Sequence, residues 1–377
     1  MKITILTGPF SCLPPYSIGA VEKIWYSLGK KWELNNDICY VSKRPKNIKF
    51  EKKRNNIYIN GYERSGSWII DLVLDLIYSI KALKNAPQSD IVILNSIWSP
   101  VLFPFFRHKL KHALYNVARF PKYQLRYYSK IDCLACVSSS VYKAAITQSP
   151  QISAITCMIP NPIDTRIYRT KSKKKCSNMP CVIYAGRVHK EKGIDILVKA
   201  INFLNKQGLL IKLSIIGARD VSSGGSGETY VKELNSLAES FNINWIDPIF
   251  TSNQLADEIS KGDIFCYPSI AEKGETFGVA PLEAMGLGLP TIVSDLDCFK
   301  DFVQDEKNGF IFNHRDKKSY VQVANIIEKI VQNKFLYESI STAGIETSRR
   351  YSIENVADAY YEVMRNIVAN GKFKNQE

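Results

Sequence analysis

Short apolar runs rich in β-branched residues alternate with helical stretches from the first residues onward, stop at a basic, turn-rich segment, and then start again. KITILT, DICYVS, DIVILN, ALYNV and CLACVS make the first series; PCVIYAGR, IKLSIIG, INWID, DIFCYPS and PTIVSD make the second. A helix between two strands returns the chain in the same direction, so each series implies a mainly parallel, doubly wound α/β sheet. RTKSKKKCSNMP, Arg169–Pro180, has the polar composition of a linker. The expected domains are therefore residues 1–168 and 181–350, facing an interdomain cleft. Ligands of such sheets collect at the carboxyl ends of the strands.

One segment of the second series carries chemistry: PSIAEKGETFGVAPLEAMGLGLPTIVSD, Pro268–Asp295. Pro281 at a first helical position, Glu283 in the first turn and the Gly286/Gly288/Pro290 stop predict a short helix. Its first-turn amides lack backbone partners and carry the positive end of the peptide dipoles, which suits a diphosphate. Glu275 and Glu283 flank that position with seven residues between them. Like charges repel, so two carboxylates beside an anion are suited to accepting hydrogen bonds from hydroxyls. A ligand with phosphates in the middle and hydroxyls at both ends is a nucleotide-sugar.

The string ETFGVAPLEAMGLGLP, Glu275–Pro290, resembles the nucleotide-sugar signature of the retaining glycosyltransferases of family 4, whose fold is GT-B, two Rossmann-like domains. The resemblance implies that Glu275 contacts hydroxyls of the transferred sugar and Glu283 holds the ribose. It also puts the backbone at Phe277, Gly278, Val279 and Ala280 near the sugar and diphosphate. In VIYAGRVHKEKG, Arg187 and Lys192 repeat the family's GR...KG pattern, two cations that would bridge the phosphates and stabilise the departing diphosphate. Gly19 and Ala20 in PPYSIGAVEKIW are similar to a Gly-Gly loop touching the diphosphate, with Ala20 in the second position. Asn161 and Asp164 in IPNPIDTRIY match a family turn before the linker, with Pro162 in the Gly position. Many members contact the sugar through an N-domain His; ALYNVARFP has none, which makes Asn116 and Arg119 candidates for sugar or acceptor contact, with His189 a third. By the same resemblance the last helix, within 351–377, crosses back to the N-terminal domain.

The formal charge of +14 is concentrated in one half: residues 1–170 hold 24 Lys and Arg against 10 Asp and Glu, whereas the remainder holds 26 of each. No zinc-finger, RNP-like or helix-turn-helix pattern accompanies the charge, so nucleic acid is not the expected partner. Basic and aromatic residues interleave from Ser96 to Lys130, a mixture suited to an anionic membrane surface or a diphosphate-linked lipid. WIIDLVLDLIYSI, Trp68–Ile80, is interrupted by Asp71 and Asp75 and reads as an amphipathic helix, not a membrane span. Nine irregularly spaced cysteines indicate reduced thiols; Cys133 and Cys136 sit in a buried strand, not a metal site. Asp295-Leu296-Asp297 has the look of a metal-binding DxD but follows a strand in the wrong context, and the Gly/Ser run Ser222–Gly227 reads as a mobile loop.

The expected activity is thus retaining, metal-independent and cofactor-free transfer of a hexose-type sugar from a UDP- or GDP-sugar to an acceptor hydroxyl. The acceptor expected is a saccharide, lipid-linked, in O-antigen, capsule or exopolysaccharide synthesis. The expected location is cytoplasmic, peripheral on the inner face of an anionic inner membrane. Two rivals use the same donor site: a GT-B-fold sugar-nucleotide epimerase, and a non-catalytic nucleotide-sugar or membrane-binding subunit.

Overall fold

Five-residue runs such as KITIL and CVIYA carry no charge beyond Lys2, and even Thr4 and Tyr184 are buried, so their strands are covered on both faces. The computed structural model describes residues 1–14, 20–45, 55–170 and 176–373 and divides into two compact units, each built on one parallel sheet. The first unit comprises Met1–Asn161 and Ile353–Glu377, the second Pro162–Ser352.

In the first unit the chain runs β1 (Lys2–Leu6), α1 (Ala20–Trp32), β2 (Asp37–Lys43), β3 (Asn56–Ile59), α2 (Trp68–Asn85), β4 (Ser89–Leu94), α3 (Ser99–Leu102), β5 (Leu110–Val117), β6 (Cys133–Cys136), α4 (Ser139–Gln148) and β7 (Thr156–Met158). The sheet order is β3-β2-β1-β4-β5-β6-β7. Ile3 of β1 lies between Ile38 of β2 and Ile91 of β4, which makes β1 central. Cys133 and Cys136 are buried free thiols, as a strand reading requires.

The second unit runs β8 (Cys181–Ala185), α5 (Ile194–Lys206), β9 (Lys212–Ile216), α6 (Glu228–Leu237), β10 (Ile243–Ile246), α7 (Ser252–Ile259), β11 (Ile264–Tyr267), α8 (Val279–Gly286), β12 (Thr291–Ser294), β13 (Phe310–Phe312), α9 (Ser319–Gln332) and α10 (Lys334–Arg350). Its order is β10-β9-β8-β11-β12-β13, so β8 and β11 are neighbours and their carboxyl ends open side by side. Helix α5 buries Ile194, Leu197, Val198, Ile201 and Leu204, the three-and-four spacing of one helical face.

The final helix, α11 (Ile353–Asn370), belongs to the first unit. Its Tyr360 ring packs 5.1 Å from Trp25 of α1, and the Trp32 indole N–H donates to the Ala357 carbonyl at 3.0 Å. The first unit ends earlier than the sequence boundary at Tyr168. Ile163 donates its N–H to the Tyr351 carbonyl and Thr170 donates to the Gly286 carbonyl, which ties residues 162–170 to the second unit. Within the expected linker, residues 171–175 lie outside the described residues.

Candidate active site

Gly186 follows β8 and leads into Arg187, whose carbonyl accepts a hydrogen bond from the Tyr184 hydroxyl at 2.9 Å. The Arg187 guanidinium donates to Glu191 Oε1 and to the Gly224 carbonyl, both at 2.9 Å. Its side chain remains half exposed, so it is oriented without being sealed from a ligand. A 3₁₀ turn, Lys190–Lys192, follows and closes on Gly193 at φ +61, where a side chain would run into the Pro268 carbonyl. That close approach brings the turn against the end of β11.

Lys192 and Glu275 meet there across 83 residues of chain: Nζ lies 2.7 Å from Oε2. Both side chains are nearly closed off from solvent, 7% and 10% exposed, so the ion pair sits where dielectric screening is weak. The Lys192 ammonium also lies 5.5 Å from the centre of the Tyr267 ring, which stacks on Tyr184 at 5.5 Å. Burial, and after it the negative charge of Glu275, pushes both phenols well above the ordinary tyrosine range. Both therefore stay protonated beside the Glu275 carboxylate.

Gly278 takes φ +83 as the N-cap of α8, and a side chain there would press into the Phe299 ring. Phe277 is buried against Phe302 and Tyr351, an anchor that fixes where the helix begins. The helix starts at Val279, two residues before the expected Pro281. Proline is tolerated at the third position because the N–H it lacks would have no intrahelical acceptor. Val279 and Ala280 thus contribute first-turn amides, whereas Glu283 falls in the second turn and not the first. The Glu283 carboxylate hydrogen-bonds the Tyr168 hydroxyl, and burial, followed by that carboxylate, pushes the phenol up.

Of the residues singled out by sequence, Arg187, His189, Lys192, Glu275, Phe277, Gly278, Val279, Ala280 and Glu283 belong to the second unit. His189 caps the 3₁₀ turn by accepting the Glu191 N–H at 3.3 Å on Nδ1. Asn116 and Arg119 belong to the first unit, at the carboxyl end of β5. Asn116 donates to Asn95 at 3.2 Å, and its own Oδ1 is buried without a partner; Arg119 is exposed. Gly19 lies outside the described residues, and Ala20 is the first residue of α1.

Sequence reasoning missed Glu191, Gly224, Tyr184 and Tyr267. Glu191 stands four positions after Arg187, a spacing that could have been read; the other contacts come from distant chain. Ser222–Gly227 is not a loose loop: Gly224 receives Arg187, Ser226 donates its N–H to the Val188 carbonyl, and Gly227 donates to Arg219. Asp295 accepts from His314 and Arg315 while Asp297 pairs with Lys300, so both carboxylates of the DxD look-alike have protein partners. Among the described residues no group of three His, Cys, Asp or Glu is arranged to hold a metal ion.

Two parallel doubly wound units, one of them gathering two cations, a carboxylate and a helix start beyond β8 and β11, have the architecture of nucleotide-binding enzymes. Residues 168–347 match the family described as glycosyl transferases group 1. The chain is 24% identical over 315 residues to a phosphatidyl-myo-inositol mannosyltransferase of Mycobacterium leprae, covering 82% of this chain and 78% of that protein. It is 24% identical over 387 residues to the lipopolysaccharide 1,2-N-acetylglucosaminetransferase of Salmonella typhimurium, covering 97% and 98%. The crystal structure of Anabaena HepE in complex with UDP and glucose superposes with a TM-score of 0.72 at 17% identity, over 97% of this chain and all of that one. Residues 168–347 thus match the glycosyl transferases group 1, the two units share the GT-B fold of the solved structures, and the enzyme is a glycosyltransferase that uses a nucleotide-sugar.

Proposed function

We propose that the enzyme moves a hexose-type sugar from a UDP-sugar, with retention at the anomeric carbon, to a hydroxyl of a lipid-linked saccharide in surface-polysaccharide synthesis. The observation that carries the donor half is the Lys192–Glu275 pair, set beside Arg187 and the start of α8. Arg187 and Lys192 would meet the diphosphate oxygens, with the amides of Val279 and Ala280 adding donors to the same charge. Glu275 and Glu283, unsuited to an anion, would accept hydroxyls of the sugar and the ribose. The bond from the anomeric carbon to the diphosphate breaks as the acceptor oxygen bonds to that carbon on the same face. The acceptor proton passes to the departing diphosphate, so no protein base is consumed and the cations stabilise the growing charge.

HepE, with UDP and glucose in its structure, supports the choice of uridine, and the Salmonella relative supports a surface saccharide as acceptor. The basic excess of residues 1–170 supports an acceptor presented at an anionic membrane surface, and among the described residues no helix is long and apolar enough to cross one. A thermal-shift panel of UDP-, GDP-, ADP- and TDP-sugars tests the donor. A ligand at one hundred times its Kd stabilises the fold by about 2.7 kcal/mol. Stabilisation by UDP-sugars above the rest is expected; a flat panel would contradict the reading. A product formed from the donor without any acceptor would point to the epimerase alternative, and absence of both transfer and donor hydrolysis to the binding-subunit alternative.

A further inference from the structure

Helix α2 is built inside out. It buries Asp75, Tyr78, Ser79, Ala82 and Leu83 against the first unit, and turns Trp68, Ile69, Ile70, Val73, Ile77 and Ile80 to solvent. Those six range from 38% to 72% exposed. Ile70, Val73, Ile77 and Ile80 recur at three- and four-residue spacing and, with Ile69, form one stripe about 17 Å long at 1.5 Å rise per residue. The two carboxylates of the helix lie on its other side, Asp75 accepting the Trp98 N–H at 2.9 Å and Asp71 accepting from Ser65. The 3₁₀ turn Phe103–Phe106, packed against α2, adds an exposed Phe105.

We propose that this face of α2 docks on an anionic lipid bilayer, with the isoleucines inserted at the acyl boundary. Charge selects the occupant. Past Ile80 the exposed side continues into Lys81 and Lys84, and Lys109 donates to the carbonyls of Lys84 and Ala86 at the same end. A second copy of the chain would set one strongly basic surface against another, whereas anionic headgroups complement every one of these lysines. An apolar stripe bordered by lysines is the composition of a helix lying in the plane of the interface.

The inference rests on the membrane-presented acceptor of the proposed function for its purpose, but its test reads docking without turnover, so the two can fail separately. The purified full chain is floated with vesicles of phosphatidylcholine alone and with vesicles containing one third phosphatidylglycerol. Wild-type protein should float with the anionic vesicles and much less with the neutral ones. The double variant Val73→Glu/Ile77→Glu, at two exposed positions, should partition at least about tenfold more weakly while melting within error of wild type. Lys81→Glu/Lys84→Glu should lose the preference for anionic vesicles while keeping the apolar contribution. Wild-type protein that floats with neither vesicle, or a Val73→Glu/Ile77→Glu variant that floats as well as wild type, would overturn the proposal. So would light scattering that finds a wild-type dimer which the same double variant breaks.

Discussion

Removing one partner of the Lys192–Glu275 pair should cost more stability than removing both. At 7% and 10% exposure neither charge can turn to water in place, so Lys192→Met leaves the Glu275 carboxylate buried without its counter-charge. Breaking a buried pair in this way costs about 3–5 kcal/mol, whereas replacing both members by apolar groups is often neutral. For a unit of this size each kcal/mol moves Tm by about 2–4 °C, so the single variants Lys192→Met and Glu275→Leu should melt about 6–20 °C below wild type. Lys192→Met/Glu275→Leu should melt above either single. Differential scanning fluorimetry, with circular dichroism as a check on folding, measures all of this. Singles that melt within about 2 °C of wild type, or a double variant that loses the sum of both, would refute a buried ionic unit.

Gly278→Ala puts a side chain at φ +83 and into the Phe299 ring; it should destabilise by about 2 kcal/mol or more and weaken donor binding, and an unchanged melt would show that the turn can relax. Tyr360→Ala removes a buried ring from the α1–α11 contact and should cost about 3–5 kcal/mol by denaturant titration, with a loss below 1 kcal/mol counting against α11 as part of that core. Burial pushes the Asp75 carboxyl up from 3.8 to about 6, so the folded state binds its proton more tightly than the unfolded chain does. Wild-type stability should then fall as pH rises from about 4 to about 6, and Asp75→Asn should gain on wild type through that window by up to about 3 kcal/mol. A Tm difference between the two proteins that is constant from pH 4 to pH 7 would contradict this.

Much of the architecture was legible because central parallel strands are apolar on both faces and announce themselves as runs: KITIL, DIVIL and CVIYA need no partner to be read. The edge strands NIYI, TCM and FIF were not, since three or four residues carry no period. At the site the residue types were legible and their partners were not. Arg187 could be singled out from its loop, but its hold on Gly224 depends on a backbone carbonyl that sequence does not display. The start of α8 was misjudged because proline suits the third helical position as well as the first, which moves Glu283 from the first turn to the second. The pattern of α2 gave its periodicity but not its direction. Which side of an amphipathic helix is buried depends on what it packs against, and here Asp75 faces in and Ile77 faces out.

The most direct test of the donor site is calorimetric titration of UDP into the wild-type protein and into Arg187→Ala. A half-exposed guanidinium whose contacts are Glu191 and Gly224 adds little to the fold, so its loss should leave the melting temperature nearly unchanged. It should weaken UDP by about ten- to a hundredfold, the value of one charge-assisted contact to a diphosphate. UDP that binds Arg187→Ala as tightly as wild type, or that binds neither protein, would contradict a diphosphate held at the end of β8.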